Sequence, residues 1–308
     1  MRFSLRQLQV FTCIAQYKSV SQAAEQLAMS QSAASTALKE LERSYDCLLF
    51  DRAGKRLIIN ALGLQLLPRA LALLEQAEAL EGLLTDSHGF GSLSVGATMT
   101  IGNYLATLLI GHFMQQHPSC KVRLHVHNTE QIVQQVANYQ LDLGLIEGYQ
   151  QDHNIIAEPW VADELVVFCA PQHPLAQQGQ ASLTDLADEA WIVREHGSGT
   201  RLAFEQAFQR HQHPIHIRLE LEHTEAIKRA VESGLGIGCI SRLALRDAFK
   251  RGSLVAIETP ELNLTRQFTF IWHKHKFQSD AMSEFLSLCR TLTENIQRSD
   301  QINLATLL

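Results

Sequence analysis

Apolar residues at Leu5, Leu8, Phe11, Ile14 and Ala15 recur every three or four positions, which predicts an amphipathic helix at the amino end. The next stretch, "SVSQAAEQLAMSQSAASTALKELE" (19–42), holds two shorter helical patterns separated by a break at Ala28-Met29. Ser19 or Ser21 can cap the first of these, with Ala23, Ala24 and Leu27 facing inward, and Ser30 can cap the second. In that third helix Ala34, Leu38 and Leu41 share one side, leaving Gln31, Ser32, Ser35, Thr36 and Lys39 on the other. Asp46 is placed to end it in the left-handed conformation. "LLFDRAGKRLIIN" (48–60) alternates like a short hairpin turning at Ala53-Gly54, and Asn60 can cap another helix. There leucines and alanines fall on more than one face for about 26 residues, roughly 39 Å of helix, with a kink expected at Pro68. Such a rod is not solvated all round. It is expected to pair with a copy of itself; burial within its own domain is the alternative.

From Gly89 the period changes to strands alternating with helices. "SLSVGAT" (92–98) leads to a helix from about Asn103, "KVRLHVHN" (121–128) to one from Glu130, and "DLGLIEG" (142–148) closes a first lobe. A second series runs through "ELVVFCAP", "AWIVRE", a helix from Thr200, "IRLELEH", a helix from Glu225, "GIGCIS" and "LVAIET". "QFTFIWH" (267–273) and "DAMSEFLSLCRTLTENI" (280–296) can return to the first lobe. This order predicts a mainly parallel sheet in two lobes.

Composition sharpens the division. The 308 residues are 46% hydrophobic, as in an ordinary globular protein of two or three domains, and carry a net charge of −6. Residues 1–60 nevertheless hold eight Lys/Arg against five Asp/Glu, a basic head on an acidic body. No stretch reaches the roughly 18 apolar residues of a membrane span, and the first residues lack the apolar run of an export signal, so a cytoplasmic location without membrane contact is expected. Six scattered cysteines without a CxxC pair fit buried, reduced thiols.

A helix that enters a DNA major groove must bring its backbone close, which suits the small polar face of the third helix. Gln31, Ser32, Ser35 and Thr36 lie in its first turns, where amide and hydroxyl groups can meet base edges; Lys39 and Arg43 suit phosphates, and Arg52, Lys55 and Arg56 form a wing-like hairpin beside them. A small helical dimerisation domain is the competing reading. Residues 5–69, "LRQLQVFTCIAQYKSVSQAAEQLAMSQSAASTALKELERSYDCLLFDRAGKRLIINALG" and the start of the long helix, resemble the winged helix-turn-helix of LysR-type transcriptional regulators, and the long helix and two-lobed body follow that family in order and length. Ala34 stands where valine is common, Asp46 where glycine is, and Asn60 where threonine is. The resemblance implies an all-α winged head with a β wing (1–60), a linker and dimerisation helix (61–88), and an α/β periplasmic-binding-protein-like effector domain (89–300), with lobe I at about 89–162 and 269–300 and lobe II at about 163–268.

In such a body, ligands sit at the carboxyl ends of strands where helix N-termini point. Small hydroxyl or amide residues occupy several of these junctions: "TMTIGN" (98–103), "NTEQ" (128–131), "HGSGTR" (196–201) and "HTEAIK" (223–228). Each junction alone reads equally as a helix cap. By the resemblance, Thr98, Thr100, Thr129, Ser198, Thr200 and Thr224 match positions around an effector pocket, with Asn103 at the first junction and Glu147 at a strand end. Arg201 and Lys228 can balance an anion or merely be solvated, and Glu147 can hold a protonated ligand, pair with Arg201 or orient a water. The runs "IGNY", "GLIEG", "EPWVADELVVFCAP", "REHGSGTR" and "HTEAIKRAVESGLGIGCISR" look most like the family's sulfur-metabolism branch, which implies sulfite or a similar small oxyanion as effector.

Two rivals remain. An enzyme lacks support, since no HExxH, GxSxG or paired-acid arrangement stands out and "HKH" (273–275) reads as surface histidines. A solute-binding protein would use the body alone and leaves the basic head unexplained. The expectation is therefore a homodimeric or homotetrameric regulator without cofactor or metal, bound to a partly palindromic double-stranded operator, with RNA polymerase as a further partner.

Overall fold

The computed structural model describes residues 1–53, 56–84, 91–148, 152–209 and 215–303, without the side chains of residues 52, 53, 56, 79 and 82–84. Three helices open the chain: α1 (Leu5–Tyr17), α2 (Val20–Gln26) and α3 (Gln31–Ser44). Their starts are fixed by hydroxyl caps, since Ser4, Ser19 and Ser30 accept from the backbone N–H of Gln7, Gln22 and Ala33. Ala28 and Asp46 take the left-handed conformation that ends α2 and follows α3, with φ of 50° and 49°. Leu8, Phe11, Ile14, Ala23, Ala34, Leu38 and Leu41 are buried together, as the helical spacing predicts, while Leu5 is largely exposed. Strands β1 (Phe50–Ala53) and β2 (Arg56–Ile59) form the antiparallel hairpin. Of its expected turn at Ala53-Gly54, Ala53 ends β1 and Gly54 lies outside the described residues.

Asn60 caps α4 (Ala61–Leu84) by accepting from Gly63 N–H at 2.9 Å. Gly63 lies so close to the hairpin that a Cβ there would meet Leu49 O at 2.4 Å. One face of α4, with Leu67, Ala70 and Leu74, closes the head core. Leu62, Leu64, Leu73 and Leu80 remain exposed.

The first half of the body contains β3 (Ser92–Thr98), the short helix α5 (Met99–Ile101), a π-helical turn (Gly102–Ala106), α6 (Thr107–Gln116), β4 (Lys121–His127), α7 (Thr129–Ala137) and β5 (Leu143–Glu147). The helix after β3 thus starts at Met99, four residues before the expected Asn103. The 15-residue β6 (Ile155–Cys169) then crosses to the second half, made of α8 (Pro174–Gln178), α9 (Leu183–Ala187), β7 (Ala190–Arg194), α10 (Gly199–Gln209), β8 (His216–Leu221), α11 (Thr224–Glu232), β9 (Ile237–Ser241), α12 (Arg242–Arg251) and β10 (Val255–Ile257). β11 (Thr265–His273) returns antiparallel to β6, followed by α13 (Asp280–Leu292).

The sheet order is β4-β3-β5-β11-β6-β9-β7-β8, with β10 also on β6. β3 pairs parallel with β4 and β5, and β7 pairs parallel with β8 and β9, so each half carries the predicted parallel strands. The crossing strands β6 and β11 run antiparallel to their neighbours. Separate apolar clusters fill the two halves, and Tyr104 packs against both. Cys13, Cys120, Cys169, Cys239 and Cys289 are buried within the apolar pattern and Cys47 is half-buried. His273, expected at the surface, is instead buried, with its ring packed at a tilt against Tyr139, centroids 4.1 Å apart.

Candidate functional site

Two places concentrate polar groups that local folding does not consume. The first is the outer face of α3. Burial of Ala34, Leu38 and Leu41 turns Gln31, Ser32, Thr36 and Lys39 to the surface, with Ser35 half-buried among them and Arg43 exposed in the last turn. Ser30 and Ser32 hydroxyls lie 3.0 Å apart at the start of the helix. Arg6 holds the turn before α3 by donating to Leu27 O at 2.8 Å, and Glu42 accepts from Leu49 N–H at 2.8 Å, fixing where the hairpin leaves the helix. The face is shallow and hydroxyl-rich. Lys55 lies outside the described residues, and so do the side chains of Arg52 and Arg56.

The second place is where the two halves of the body meet. Glu147 ends β5 and is 1% exposed. Its carboxylate accepts from Thr100 N–H at 2.8 Å, from the Thr200 hydroxyl at 2.9 Å and from Arg266 Nη1 at 2.9 Å. Thr100 follows β3 and Thr200 opens α10, so the donors come from helix starts on opposite sides of the interface. The Thr129 hydroxyl, at the start of α7, donates to Glu147 O at 3.3 Å and accepts from Gly199 N–H at 3.1 Å. Gly199 is required by this approach: a Cβ there would stand 2.0 Å from Glu147 O.

Arg266, near the start of β11, links the two crossing strands. Its Nε donates to Asp163 on β6 at 2.7 Å, and Asp163 also accepts from Ser241 at 2.7 Å and Ser299 at 2.5 Å. Both Glu147 and Asp163 are therefore paired, as fully buried charges must be. Burial by itself would raise the Glu147 carboxyl, but the charges of Arg266 and of Arg194, with the bonds from Thr100 and Thr200, bring it down to about 2. Arg266 Nη2 is buried without a hydrogen-bond partner among the described residues.

The structure brings together Thr98, Thr100, Thr129, Glu147, Ser198 and Thr200 from the sequence expectation, all buried. Thr98 reaches Leu145 O at 3.5 Å, and Ser198 accepts from Thr200 N–H at 3.2 Å. Thr224 is buried at the start of α11. Three residues depart from the expectation. Asn103 is exposed, because the π-helical turn rotates it away from the buried group. Arg201 does not pair with Glu147: its guanidinium is held by Glu205 at 2.5 Å, one helical turn on, by Glu220 at 3.0 Å and by Arg194 O at 2.8 Å. Lys228 likewise serves a contact across the interface, bonded to Glu225 at 2.5 Å, the Tyr104 hydroxyl at 3.2 Å and Ala244 O at 3.1 Å. Arg266 and Asp163 were missed by sequence reasoning. The one available signal was a charge at the edge of an apolar strand, in "TRQFTFIWH" and in "VADELVVFC".

Chemically, the group is an anion cradle: a guanidinium, a hydroxyl and a backbone N–H converge on one point, and the protein's own carboxylate occupies it. A small cavity of about 130 Å³ adjoins it, lined by Thr129, Ser198, Arg201 and the His196–Gly197 turn.

The sequence matches two family descriptions. Residues 5–64 match the bacterial regulatory helix-turn-helix protein of the lysR family, and residues 87–294 match the LysR substrate binding domain. The chain is 42% identical over 289 residues to the HTH-type transcriptional regulator YeiE of Escherichia coli (strain K12), which covers 94% of this chain and 98% of that one. The regulatory domain of Synechocystis PCC6803 CcmR, solved in complex with 2-PG, is similar at 33% identity and a TM-score of 0.63 over 67% of this chain and 99% of its own. A full-length OxyR variant from Pseudomonas aeruginosa shares the fold over 94% of both chains, with a TM-score of 0.70 at 21% identity. An exposed small-residue helix on a winged head, followed by a long helix and a two-lobed α/β body with a buried polar cleft, is thus a whole-chain pattern, and the chain belongs to the LysR family of bacterial transcriptional regulators.

Proposed function

We propose that this DNA-binding regulator reads its operator through α3 and is controlled by a small oxyanion, such as sulfite or a related sulfur-metabolism metabolite, taken up at the Glu147–Arg266 cradle. The observation that carries the effector reading is the convergence of Thr100 N–H, the Thr200 hydroxyl and Arg266 on a single carboxylate. An oxyanion offers the same acceptors as Glu147 and can take over these donors if the carboxylate, held ionised with its carboxyl at about 2, moves aside. Arg266 Nη2, without a partner among the described residues, supplies one further donor. Thr98, Thr129, Ser198 and Thr224 shape the wall.

In the head, Gln31, Ser32, Ser35 and Thr36 meet base edges, while Lys39, Arg43 and the wing residues Arg52, Lys55 and Arg56 meet phosphates. The exposed leucines Leu62, Leu73 and Leu80 of α4 support pairing with a second copy, which sets two heads on a partly palindromic site as a homodimer or homotetramer. The working division is a head at 1–60, a linker helix at 61–88 and an effector domain at 89–300. No helix of the described residues is long and apolar enough to cross a membrane. Action in the cytoplasm, beside RNA polymerase, completes the reading.

Calorimetric titration with sulfite, sulfate and phosphate tests the effector. Saturable binding of one of them, lowered about tenfold by Thr200→Val, is expected. An unchanged titration for the variant removes the cradle from the effector site.

A further inference from the structure

A second cavity among the described residues shares no lining residue with the one beside the cradle. It measures about 1020 Å³ and is walled by three parts of the chain: the head through α1 and the hairpin, the linker helix α4, and the body through the end of α7 and the residues around the end of β11. Ile14, Phe50, Leu57 and Leu67 give it an apolar floor, and Lys18, Arg69 and Lys274 bring positive charge to its walls. Among the described residues no carboxylate lines it. In a chain of net charge −6, three cations without an acid on one cavity is a strong local bias. The neighbouring carboxylate, Asp152, is turned to the N–H of Asn154 at 2.7 Å, and Lys274 donates to His153 O at 3.1 Å, a neutral partner that leaves its charge uncompensated among the described residues. Of the exposed leucines of α4, Leu64 lines the cavity while Leu62, Leu73 and Leu80 do not, so pairing with a second copy through those three does not use the cavity wall.

We infer that this cavity is a second effector site, for an amphipathic anion with an apolar body and one carboxylate or sulfonate group. The volume matches the upper range of small-molecule sites, the floor rewards burial of an aromatic or acyl body, and the cations fix the anionic end. The head already touches the body beside the cavity, where Gln16 donates to Tyr139 O at 2.9 Å, and Lys276 joins Glu75 of α4 to Asp142 of the body. An occupant bridging all three walls favours this placement of the head over others, and by linkage it changes operator affinity by the factor by which operator changes its own.

The test uses the full chain and 8-anilinonaphthalene-1-sulfonate, an aromatic sulfonate whose fluorescence rises on burial. One saturable site per chain is expected, displaced by decanoate but neither by decyltrimethylammonium nor by sulfite. Arg69→Gln with Lys274→Gln should weaken binding about tenfold or more, and Ala72→Phe, which fills the cavity from α4, should weaken it independently. Near-UV circular dichroism checks that both variants keep the native fold, and Glu147→Gln should leave dye affinity unchanged while altering the cradle. The inference is overturned by absence of a saturable site, by unchanged affinity in both folded variants, by displacement with sulfite, or by loss of the site as protein concentration rises, which would make a second copy the occupant.

Discussion

The α3 face and the Glu147–Arg266 cradle are built by opposite rules. On α3 every polar group that matters is left over after local folding: the core takes Ala34, Leu38 and Leu41, the cap takes Ser30, and what remains faces outward. In the cradle the Glu147 carboxylate is taken up by partners 47 to 119 residues away in the chain, and Arg266 Nη2 is left over among the described residues. The contrast teaches that exposure makes the head cheap to alter and the cleft costly. A residue on α3 can change specificity at little risk to folding, whereas a cleft residue carries stability and sensing together.

Substitution at Arg266 should break that contrast most sharply. Arg266→Met leaves Glu147 and Asp163 as buried carboxylates without their cation, and a loss of about 3–5 kcal/mol in denaturant unfolding is expected. Adding Glu147→Gln should return part of it. Equal stability of wild type and Arg266→Met would show the pair to be solvated.

Acid titration comes next in size. Glu147 has its carboxyl lowered from an ordinary 4.5 to about 2, so its contribution is complete above pH 4.5 and is lost as the pH falls toward 2. That amounts to roughly 3 kcal/mol. Stability measured from pH 6 to pH 2 should fall less steeply in Glu147→Gln, and parallel curves would contradict the assignment.

On the other side of the comparison, Ser35→Glu places a carboxylate on the DNA-facing surface. Operator affinity should fall about 100-fold, close to 3 kcal/mol, with unfolding of the body unchanged. Lys39→Gln should have the smallest effect, a few-fold loss whose salt dependence falls by about one unit per head in log K against log salt. A loss equal at all salt concentrations would remove Lys39 from the phosphate contacts.

The head was legible in the sequence because its determinants are short-range. Helical spacing located three helices, and Ser19, Ser30 and Asn60 cap where hydroxyl and amide residues precede apolar periods. Asp46 takes the left-handed position despite having a side chain. Strand ends and helix starts in the body were legible for the same reason: α7, α10 and α11 begin within one residue of expectation. The helix after β3 starts earlier than expected because the π-helical turn at Gly102–Ala106 interrupts its period. Partners in the cradle could not be read this way. Glu147 had an arginine nearer in sequence in Arg201, but α10 points that side chain toward Glu205 and Glu220, and the cation that serves Glu147 arrives from the returning strand. Only the pairing of β11 with β5 and β6 places Arg266 there, and that pairing depends on the whole topology.

Coupling between the two regions is the central claim, and operator affinity measured with and without a small oxyanion tests it most directly. Fluorescence anisotropy with a duplex selected from a random pool should show at least a fivefold change in Kd on saturation with sulfite or another oxyanion that binds, and no change in Thr200→Val. A chain that prefers no duplex over random competitor, or whose Kd is the same with every oxyanion present, contradicts the account.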